Sequence, residues 1–467
     1  MAGHVVSSLV LVGRDRLSVS YSTVVNIDRV NALHPSRCRY GYGESMSDQE
    51  STPAPARRRL STKETAELLG VKPETVYAYV SRGQLSSRRE PGNRGSTFDA
   101  GEVEALARRN RRESGGTPGP GGELSVRTRI TLIEDDRFYY RGVDATELAR
   151  RHSYEEVTEW LWTGRLRPGA AFSAPEASVA VARRAADALP EHSGPTDRLR
   201  VAAVAAAAAD PLRFDLSEDA VLGTARILIP TLVAALPPLR PGRGDQGPIA
   251  HRLWARLSHL DPDEASLAAL DTALALLVDH DLAASTLAVR VAASARAHVY
   301  AAVSAGLGVL EGPLHGAAGG LAHRLILEVL ERGSAGPVVA DELREGRRVP
   351  GLGHRLYRGE DPRARVLFGL LEEIPRAAPA LAAARDIVAT TARHTPLHAN
   401  VDLALAVLTA SCGMRSSASE TIFAVARTAG WIAHALEEYG ERPLRMRPSG
   451  RYAGPQPPQP LPRPQQQ

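Results

Sequence analysis

A run of glycine and proline divides this chain into two parts. Residues 113–123 read Glu-Ser-Gly-Gly-Thr-Pro-Gly-Pro-Gly-Gly-Glu. Proline lacks the backbone donor that helices and sheets use, and glycine loses the most backbone freedom on folding, so no regular element is expected to cross this run. We predict a flexible linker at 113–123, with a small unit at 57–112 and a large unit at 124–454.

The small unit is basic and carries the pattern of two short helices joined by a tight turn. Between residues 57 and 112, thirteen Lys and Arg stand against seven Asp and Glu. Leu60-Ser61-Thr62 indicates the start of a helix with Ala66, Leu68 and Leu69 on one face, and Gly70 ends it. Pro73 suits the first turn of a second helix, which carries Val76, Tyr77 and Val80.

The end of the small unit has the pattern of a basic β-hairpin followed by a capped helix. Pro91 to Gly95 form a turn between two short strands, and Asp99 is a candidate helix cap. Helix, turn, helix and basic wing resemble the winged DNA-binding domains of the MerR and excisionase type. The resemblance implies DNA contact through residues 57–112. A basic interaction module without a DNA role is the alternative interpretation.

The two ends of the chain lack the pattern of a packed element. Residues 1–56 show no hydrophobic periodicity, and the tail at 455–467 is rich in proline and glutamine. We predict that both are disordered, because such segments bury too little apolar surface to offset the entropy of ordering. Met46 precedes a polar stretch, so translation starting at Met46 is one interpretation and a disordered tail is the other.

The large unit is predicted to be mainly helical. Alanine is abundant and aromatic residues make up only 5% of the chain, which favours helix over sheet. Two strand-like segments, Thr128 to Ile133 and Arg137 to Arg141, precede the helical patterns. Ala220 to Leu239 is mostly apolar, but Arg226 and Pro230 interrupt it, so we predict a buried core or subunit-interface helix and no membrane contact.

The cysteines and the N-terminus indicate a cytoplasmic protein. Cys38 and Cys412 are the two cysteines of the chain, too few for a disulfide framework or a metal cluster. The N-terminus lacks the charged start, apolar stretch and cleavage pattern of a secretory signal. We therefore expect a reducing compartment and no bound metal.

Three segments in the last third of the chain each hold a residue suited to acid–base chemistry. They are Gly312-Pro313-Leu314-His315-Gly316, Gly351 to Ala364 with His354, and Ala399-Asn400-Val401-Asp402. His315 precedes a helical pattern, and a helix N-terminus disfavours a cationic imidazole. A neutral His315 can therefore donate a hydrogen bond to a developing enolate oxygen.

The surroundings of His354 and Asp402 extend this pattern. His354 precedes Arg355, Arg358 and Arg363, a cationic loop suited to carboxylate or phosphate. Asp402 lies among apolar residues, and desolvation makes a carboxylate a better base. Taken singly, a histidine near glycines is more often a loop residue, and an aspartate before an apolar helix is usually its cap. The ordered set predicts a site that makes and traps a carbanion equivalent.

From about Leu124 to Gly454 the chain resembles the citrate synthase family. The resemblance rests on motifs in the family order: Tyr140 to Asp144, Asp279 to Thr286, the three segments above, Phe423 to His434, and Arg447-Pro448 with Tyr452. It implies a mainly α protein with the citrate synthase fold. This fold has a large helical domain and a small mobile helical domain, here preceded by the small winged helix-turn-helix domain.

The resemblance implies an acyltransferase that joins acetyl-CoA, oxaloacetate and water into citrate and CoA. Asp402 would remove a methyl proton from acetyl-CoA. His315 would stabilise the enol or enolate that results. His354 would polarise the oxaloacetate carbonyl and later assist hydrolysis of citryl-CoA. Acetyl-CoA is then a co-substrate, and no permanently bound cofactor is implied.

The resemblance also implies how the substrates are held. His280, Arg363 and Arg427 would bind oxaloacetate. Arg447 would complete that site from the neighbouring subunit of a homodimer, and Arg358 would contact the CoA phosphates. Burying several arginines without their ligand is costly, which predicts that oxaloacetate binds first and that a small lobe then closes.

Two departures from the family pattern concern the acyl group. The family usually continues Gly-Gly-Ala-Asn-Glu after the first histidine, whereas Gly316-Ala317-Ala318-Gly319-Gly320 follow His315. Leu403 and Ala404 replace the aromatic residues that often follow the catalytic aspartate. Residues that line a pocket decide whether an extra methylene fits, and one methylene is worth only about 1–3 kcal/mol.

Two alternative functions therefore stay open at this point. The first is 2-methylcitrate synthase, which uses propionyl-CoA in the same type of reaction. The second is of another class, a DNA-binding regulator that senses a metabolite with a synthase-derived domain. The helix-turn-helix pattern favours the regulator, and the presence of His315, His354 and Asp402 favours an enzyme.

Overall fold

The computed structural model describes residues 59–69, 71–81, 84–89, 96–104, 106, 126–239, 246–312, 315–316, 318–449, 452–459 and 461. The expected extension at 1–56 with Met46, the linker at 113–123 and the turn at 91–95 lie outside these residues. Within the expected tail, residues 455–459 and 461 are exposed and form neither helix nor strand.

The small unit combines a three-stranded antiparallel sheet with two helices. The strands β1 (Arg59–Ser61), β2 (Ser87–Arg89) and β3 (Ser96–Asp99) lie in the order β1-β3-β2. The helix α1 (Thr62–Leu69) packs on β1 and β3, α2 (Pro73–Ser81) packs on α1, and residues 100–104 are helical. Leu60, Val76, Phe98 and Leu106 belong to a hydrophobic core of this unit.

Local signals placed these elements, but one side chain differs from expectation. Ser61 and Glu64 cap α1 reciprocally, with Glu64 accepting from the Ser61 N–H at 2.8 Å. The Asp99 carboxylate accepts from the Gly101 N–H at 2.9 Å, as expected of a cap. Leu68, expected on the apolar face of α1, is 39% exposed, and Tyr77 of α2 is 50% exposed. The buried residues of α1 are Thr65 and Ala66, and α1 packs on β1, a strand that the sequence pattern did not indicate, and on β3.

The large unit begins with a β-meander. Its strands β4 (Thr131–Glu134), β5 (Arg137–Tyr140) and β6 (Val143–Asp144) pair antiparallel in that order. Two residues in the left-handed region, Asp135 at φ 50° and Asp136 at φ 55°, form the tight turn between β4 and β5. The two predicted strand segments therefore form a hairpin.

Helices make up most of the remaining described residues. They are α3 (Ala145–Arg151), α4 (Tyr154–Thr163), α5 (Glu176–Asp187), α6 (Pro195–Ala209), α7 (Glu218–Ala235), α8 (Ile249–Leu257), α9 (Glu264–Leu277), α10 (Ala284–Ser294), α11 (Val299–Leu310), α12 (Ala318–Arg332), α13 (Ala335–Arg344), α14 (Pro362–Leu371), α15 (Ala378–Ala392), α16 (Val401–Ser411) and α17 (Ala418–Tyr439), with a 3-10 turn at Pro375–Ala377. The mainly α class predicted from composition is confirmed.

The helices of the large unit pack in two groups. The long helix α17 is buried along most of its length and packs against α4, α7, α9, α10 and α11. The helices α12 to α16 form a second, smaller group, in which α16 packs against α12 and α14. Helix α14 also packs against α9, so it joins the groups. The predicted large and small helical parts are therefore both present.

The apolar stretch that begins near Ala220 is part of the core. It forms α7, whose residues from Leu228 to Ala235 are buried, with Pro230 inside the helix. Among the described residues, none of the helices combines the length and hydropathy that a membrane crossing requires. The interpretation of this stretch as a core helix is consistent with this packing.

Gly430→Ala is predicted to destabilise the large unit. A Cβ at Gly430 would lie 2.1 Å from the Val278 carbonyl oxygen and 3.0 Å from Asp279 Cβ, so α17 would have to shift. Overpacking of this kind costs about 1–3 kcal/mol. The matched control is Gly369→Ala in α14, where nothing lies within 4 Å of the added Cβ. That change should add about 0.5–1 kcal/mol, because alanine favours helix. Urea unfolding followed by circular dichroism measures both, and equal midpoints would contradict the prediction.

Candidate active site

The His354 loop and the start of α16 are joined by backbone hydrogen bonds. The Asn400 N–H donates to the Gly351 carbonyl at 2.9 Å, and the Asn400 side-chain amide donates to the Gly353 carbonyl at 2.9 Å. Each of these residues lies within three positions of His354 or Asp402. The two predicted catalytic segments are therefore held side by side.

Glycine is required where these segments meet. Gly351 has φ 82°, and an added Cβ would lie 2.8 Å from the Leu403 Cβ. Any other residue would strain the backbone and push the loop away from α16. The glycines around His354 thus serve a close approach between two segments of the protein.

A buried ion pair fixes the loop to two helices. Asp361 caps α14, and its carboxylate receives two bonds from the Arg363 guanidinium, at 3.0 and 2.8 Å. The same carboxylate accepts from the Val401 N–H at 3.0 Å, which begins α16. Burial alone would raise the pKa of Asp361, but the Arg363 charge and these hydrogen bonds lower it. Asp361 lies in the predicted segment Gly351 to Ala364, and no role was predicted for it. The signal for its capping is an aspartate followed by proline at the start of a helix.

His354 lies next to this ion pair and is neutral. The Leu356 N–H donates to His354 Nδ1 at 3.0 Å, so a neutral ring carries its proton on Nε2. His354 Nε2 lies 3.3 Å from the Arg363 guanidinium, which can only donate and so favours the other tautomer; the shorter bond to Nδ1 decides for the proton on Nε2. Burial and the Arg363 charge lower the pKa of His354 to about 4. At neutral pH the ring can therefore donate a hydrogen bond without carrying a charge.

His280 packs against His354. The ring centroids are 5.1 Å apart with the rings nearly perpendicular, and His280 Nε2 lies 2.7 Å from the Tyr357 hydroxyl. Burial, followed by the charges of Arg363 and Arg427, lowers the pKa of His280 well below its usual value. The sequence patterns did not indicate Tyr357, which is buried beside both histidines.

Asp402 is in the first turn of α16 and is not the cap of that helix. Asn400 is the cap, because its side-chain oxygen accepts from the Asp402 N–H at 3.0 Å. Burial raises the pKa of Asp402 to about 6, with Arg363 opposing and Asp361 adding to the shift. An added Cβ at Gly319 would lie 3.7 Å from Asp402 Oδ1, so the first turn of α12 is beside this carboxylate.

His315 precedes α12, as predicted. Its Nε2 lies 2.7 Å from the Ser285 hydroxyl, which also accepts from the Trp431 indole N–H at 3.3 Å. The Trp431 bond leaves the Ser285 proton free to be donated to His315 Nε2, an arrangement in which the His315 proton is on Nδ1. Burial and the Arg427 charge lower the pKa of His315. Ser285 was quoted in a family motif without a role. Pro313, Leu314 and Ala317 lie outside the described residues.

Arg427 is buried, and its charge lowers the pKa of His280 and of His315. Its guanidinium lies 4.5 Å from the Phe423 ring centroid and donates from Nε to the Leu277 carbonyl at 2.9 Å. Phe423 is edge-on to His315, with the ring centroids 6.1 Å apart. Burial lowers the pKa of Arg427, and the nearby Asp279 carboxylate opposes this shift.

The two remaining predicted residues are on the surface of the chain. Arg358 is exposed on the loop that follows His354, where its backbone N–H bonds to Asp136. Arg447 is exposed, and within the described part of the chain it makes no contact with the other predicted site residues. Its placement across a subunit interface stays a prediction.

The assembled groups suit carbanion chemistry on a small anion. Asp402 is a carboxylate with a raised pKa, His315 and His354 are neutral donors, and Arg363 and Arg427 are buried cations. Preorganised donors stabilise charge as it develops, and buried guanidiniums suit carboxylates. No group of three or more His, Cys, Asp or Glu that could hold a metal ion is found in the described ranges.

Comparison with known proteins assigns both units. A family model described as the citrate synthase C-terminal domain matches residues 119–449, and a helix-turn-helix domain model matches residues 59–111. The citrate synthase of Haloferax volcanii is 32% identical over 359 residues, which cover 71% of this chain and 94% of that protein. The 2-methylcitrate synthase of Mycobacterium tuberculosis is 28% identical over 358 residues, which cover 72% and 90%.

Solved structures show the same fold. The citrate synthase of Pyrobaculum aerophilum matches with a TM-score of 0.62 and 27% identity, covering 81% of this chain and 97% of that one. The citrate synthase of Thermoplasma acidophilum, solved with carboxymethyl coenzyme A and oxaloacetate, matches with a TM-score of 0.58 and 23% identity over 72% of this chain and 95% of that one.

The Asp402 carboxyl group is predicted to deprotonate at about pH 6, because burial raises its pKa to about 6. pH-difference infrared spectroscopy measures this midpoint, with Asp402→Asn as the blank. Arg363 lowers the pKa of Asp402, so Arg363→Leu should move the midpoint higher. Arg365→Leu, an exposed arginine on the same helix, is the matched control and should leave it unchanged. A midpoint of about 4 in the unchanged protein, the ordinary value for aspartate, would contradict the prediction.

Proposed function

The chain belongs to the citrate synthase family of acyltransferases, and we propose that it condenses acetyl-CoA with oxaloacetate and water to give citrate and CoA. One observation carries the proposal: Asp402, a carboxylate with a raised pKa, shares a site with two neutral histidines and two buried arginines. A weak carbon acid and a dicarboxylate acceptor need this combination of a base, neutral donors and cations.

Asp402 takes a proton from the acetyl-CoA methyl group. The thioester methyl is a very weak acid, so a single carboxylate cannot hold a free carbanion. His315 donates from Nδ1 to the thioester oxygen as negative charge develops there. Ser285, which is hydrogen-bonded to His315 Nε2, favours the tautomer that this donation requires.

The carbon–carbon bond then forms between the enol carbon and the oxaloacetate carbonyl carbon. His354 donates its Nε2 proton to the carbonyl oxygen, which becomes the citrate hydroxyl. Because the pKa of His354 is lowered to about 4, the neutral ring supplies this proton and a cation is not required. The proton that Asp402 took from the methyl group restores neutral His354. Water next attacks the thioester of citryl-CoA; one water proton goes to the leaving thiolate, which departs as the CoA thiol, and the other is released with the new carboxylate.

Oxaloacetate is held by His280, Arg363 and Arg427. These three side chains are buried and lie next to His354 or His315, so a small dianion is oriented toward both histidines. Arg447 completes the site from the second subunit of a homodimer, and Arg358 meets the CoA phosphates. The Thermoplasma acidophilum relative solved with a CoA compound and oxaloacetate supports this ligand pair.

Acetyl-CoA and propionyl-CoA are the two alternative acyl substrates for this type of reaction. A propionyl-CoA substrate would make the chain a 2-methylcitrate synthase, and a relative of that name matches it at 28% identity. An added Cβ at Gly319 would lie 2.6 Å from Ser419 Cβ and 3.7 Å from Asp402 Oδ1, so the first turn of α12 packs closely beside the carboxylate. We favour acetyl-CoA as the substrate.

We also favour the cytoplasm as the location of the protein, where the buried thiol of Cys412 stays reduced.

DNA binding is the second candidate function, and it concerns the small unit. The helix-turn-helix match at 59–111 and the two adjacent helices α1 and α2 favour it. Lys63, Lys72 and Arg88 are exposed and basic, as a DNA-contacting surface requires. In one form of this second function the chain is not an enzyme. It is then a regulator whose inactive synthase domain senses oxaloacetate or acetyl-CoA.

The decisive experiment is CoA release by the purified chain. Acetyl-CoA plus oxaloacetate should release CoA faster than propionyl-CoA plus oxaloacetate; the reverse order assigns 2-methylcitrate synthase, and no release with either refutes the enzyme. Asp402→Ala should lower turnover by at least about 10²–10⁴-fold, the contribution of a general base. Oxaloacetate binding, measured by calorimetry, should persist in that variant. Loss of both would show that Asp402 has another role.

Removal of residues 1–123 should separate the two functions. The two units have separate hydrophobic cores, so the shortened chain is expected to stay folded and to release CoA at a similar rate. The full chain should bind a random-sequence DNA duplex at about 50 mM salt and lose it at about 200 mM, because phosphate contacts are salt-sensitive. The shortened chain should not bind. A folded but inactive shortened chain would make the small unit part of the catalytic machinery.

A further inference from the structure

A carboxylate in the turn between β4 and β5 is hydrogen-bonded to the backbone of the loop that follows His354. Asp136 accepts from the Arg358 N–H at 2.8 Å with Oδ1 and from the Gly359 N–H at 3.0 Å with Oδ2. An added Cβ at Gly359 would lie 3.0 Å from Asp136 Oδ2, so the loop and the turn are in direct contact. Hydrogen bonds to an ionised acceptor are stronger than neutral ones. Both oxygens of Asp136 therefore hold the loop backbone.

The two residues bonded to Asp136 lie between His354 and Asp361 in the sequence. Arg358 and Gly359 follow His354 by four and five positions and precede Asp361 by three and two. Asp361 anchors the far end of this segment to α14 and α16. Asp136 supplies the anchor in the middle, so the segment with His354 is constrained from both sides.

The same hairpin also supports the neighbouring histidine. The Thr131 hydroxyl donates to Asp279 Oδ2 at 2.6 Å, and the Tyr140 hydroxyl donates to the Leu276 carbonyl at 3.0 Å. The Phe138 ring lies 5.9 Å from the His280 ring, measured between centroids. The hairpin thus contacts the segment that ends in His280 along its strands and the His354 loop at its turn.

We propose that Asp136 is a positioning residue for the condensation, which holds the His354 loop at the distance that the oxaloacetate carbonyl requires. The proposal rests on the proposed function. Asp136 touches neither substrate in this arrangement and acts through the backbone of residues 358 and 359. The hairpin of β4 and β5 is then part of the active-site scaffold.

The geometry predicts a particular kinetic signature. Without Asp136 the loop that holds His354 gains freedom, and a misplacement of about 1 Å can cost up to about 10²-fold in rate. Arg363 stays bound to Asp361 in α14, so oxaloacetate binding depends less on Asp136. Loss of Asp136 should therefore lower kcat and leave the KM for oxaloacetate nearly unchanged.

The test compares Asp136→Ala with Asp135→Ala in the full chain. Both residues have φ near 50° in the same turn, so both changes impose the same backbone cost, and Asp135 makes no hydrogen bond to the loop among the described residues. Asp136→Ala should lower kcat about tenfold with the KM for oxaloacetate within about twofold. Asp135→Ala should match the unchanged protein. Asp136→Asn, which keeps one acceptor oxygen, should lie between them. Equal kcat values for the two alanine variants would overturn the proposal.

A second measurement does not depend on activity. Hydrogen exchange of the peptide that contains residues 355–361 should be about tenfold faster in Asp136→Ala, because two protected amides become free to open. Asp135→Ala should leave it unchanged. Faster exchange in a protein that releases no CoA would support the anchoring and refute the proposed function. Unchanged exchange would refute the anchoring whatever the activity.

Discussion

The ion pair between Asp361 and Arg363 is the interaction on which the candidate site depends. Asp361 caps α14, accepts from the Val401 N–H at the start of α16 and pairs with the Arg363 guanidinium. The Arg363 charge in turn lowers the pKa of His354 and of His280 and opposes the rise in the pKa of Asp402. One buried pair therefore joins the elements of the site and, after burial, has the next largest effect on the pKa values of its groups. A buried pair of this kind is costly to break from one side, because the other charge stays buried.

Charge balance around Arg427 extends this principle. Arg427 has the Asp279 carboxylate nearby, and Asp279 accepts from His434 Nε2 at 3.2 Å. His434 Nδ1 lies 2.8 Å from the Arg290 guanidinium, which can only donate, so the His434 proton resides on Nε2. Each buried arginine of the site thus has a carboxylate close to it before any ligand binds. These carboxylates therefore offset part of the free-energy cost of burying the two arginines, and the ligand offsets the rest when it binds.

Local signals predicted the helical class and proposed the residues of the candidate site, and missed their supporting contacts. Capping by Ser61 and Asp99 and the position of His315 before α12 follow from neighbours in sequence. Ser285, Tyr357 and Asp136 were not assigned roles, because their partners are 30, 77 and 222 residues away in sequence. Leu68 was expected on the apolar face of α1 but is exposed, and the buried residues of this helix are Thr65 and Ala66. No periodicity within a segment reports such contacts.

The sequence by itself determined the helical class and the family, and it predicted the linker and the reacting groups, since motifs, propensities and caps depend on adjacent residues. Only the tertiary structure decided which groups are charged and what holds them. The raised pKa of Asp402 and the lowered pKa of His354 come from burial and from Arg363, which folding brings close. Burial and through-space charge are properties of the packed chain, so they appear only when distant segments meet.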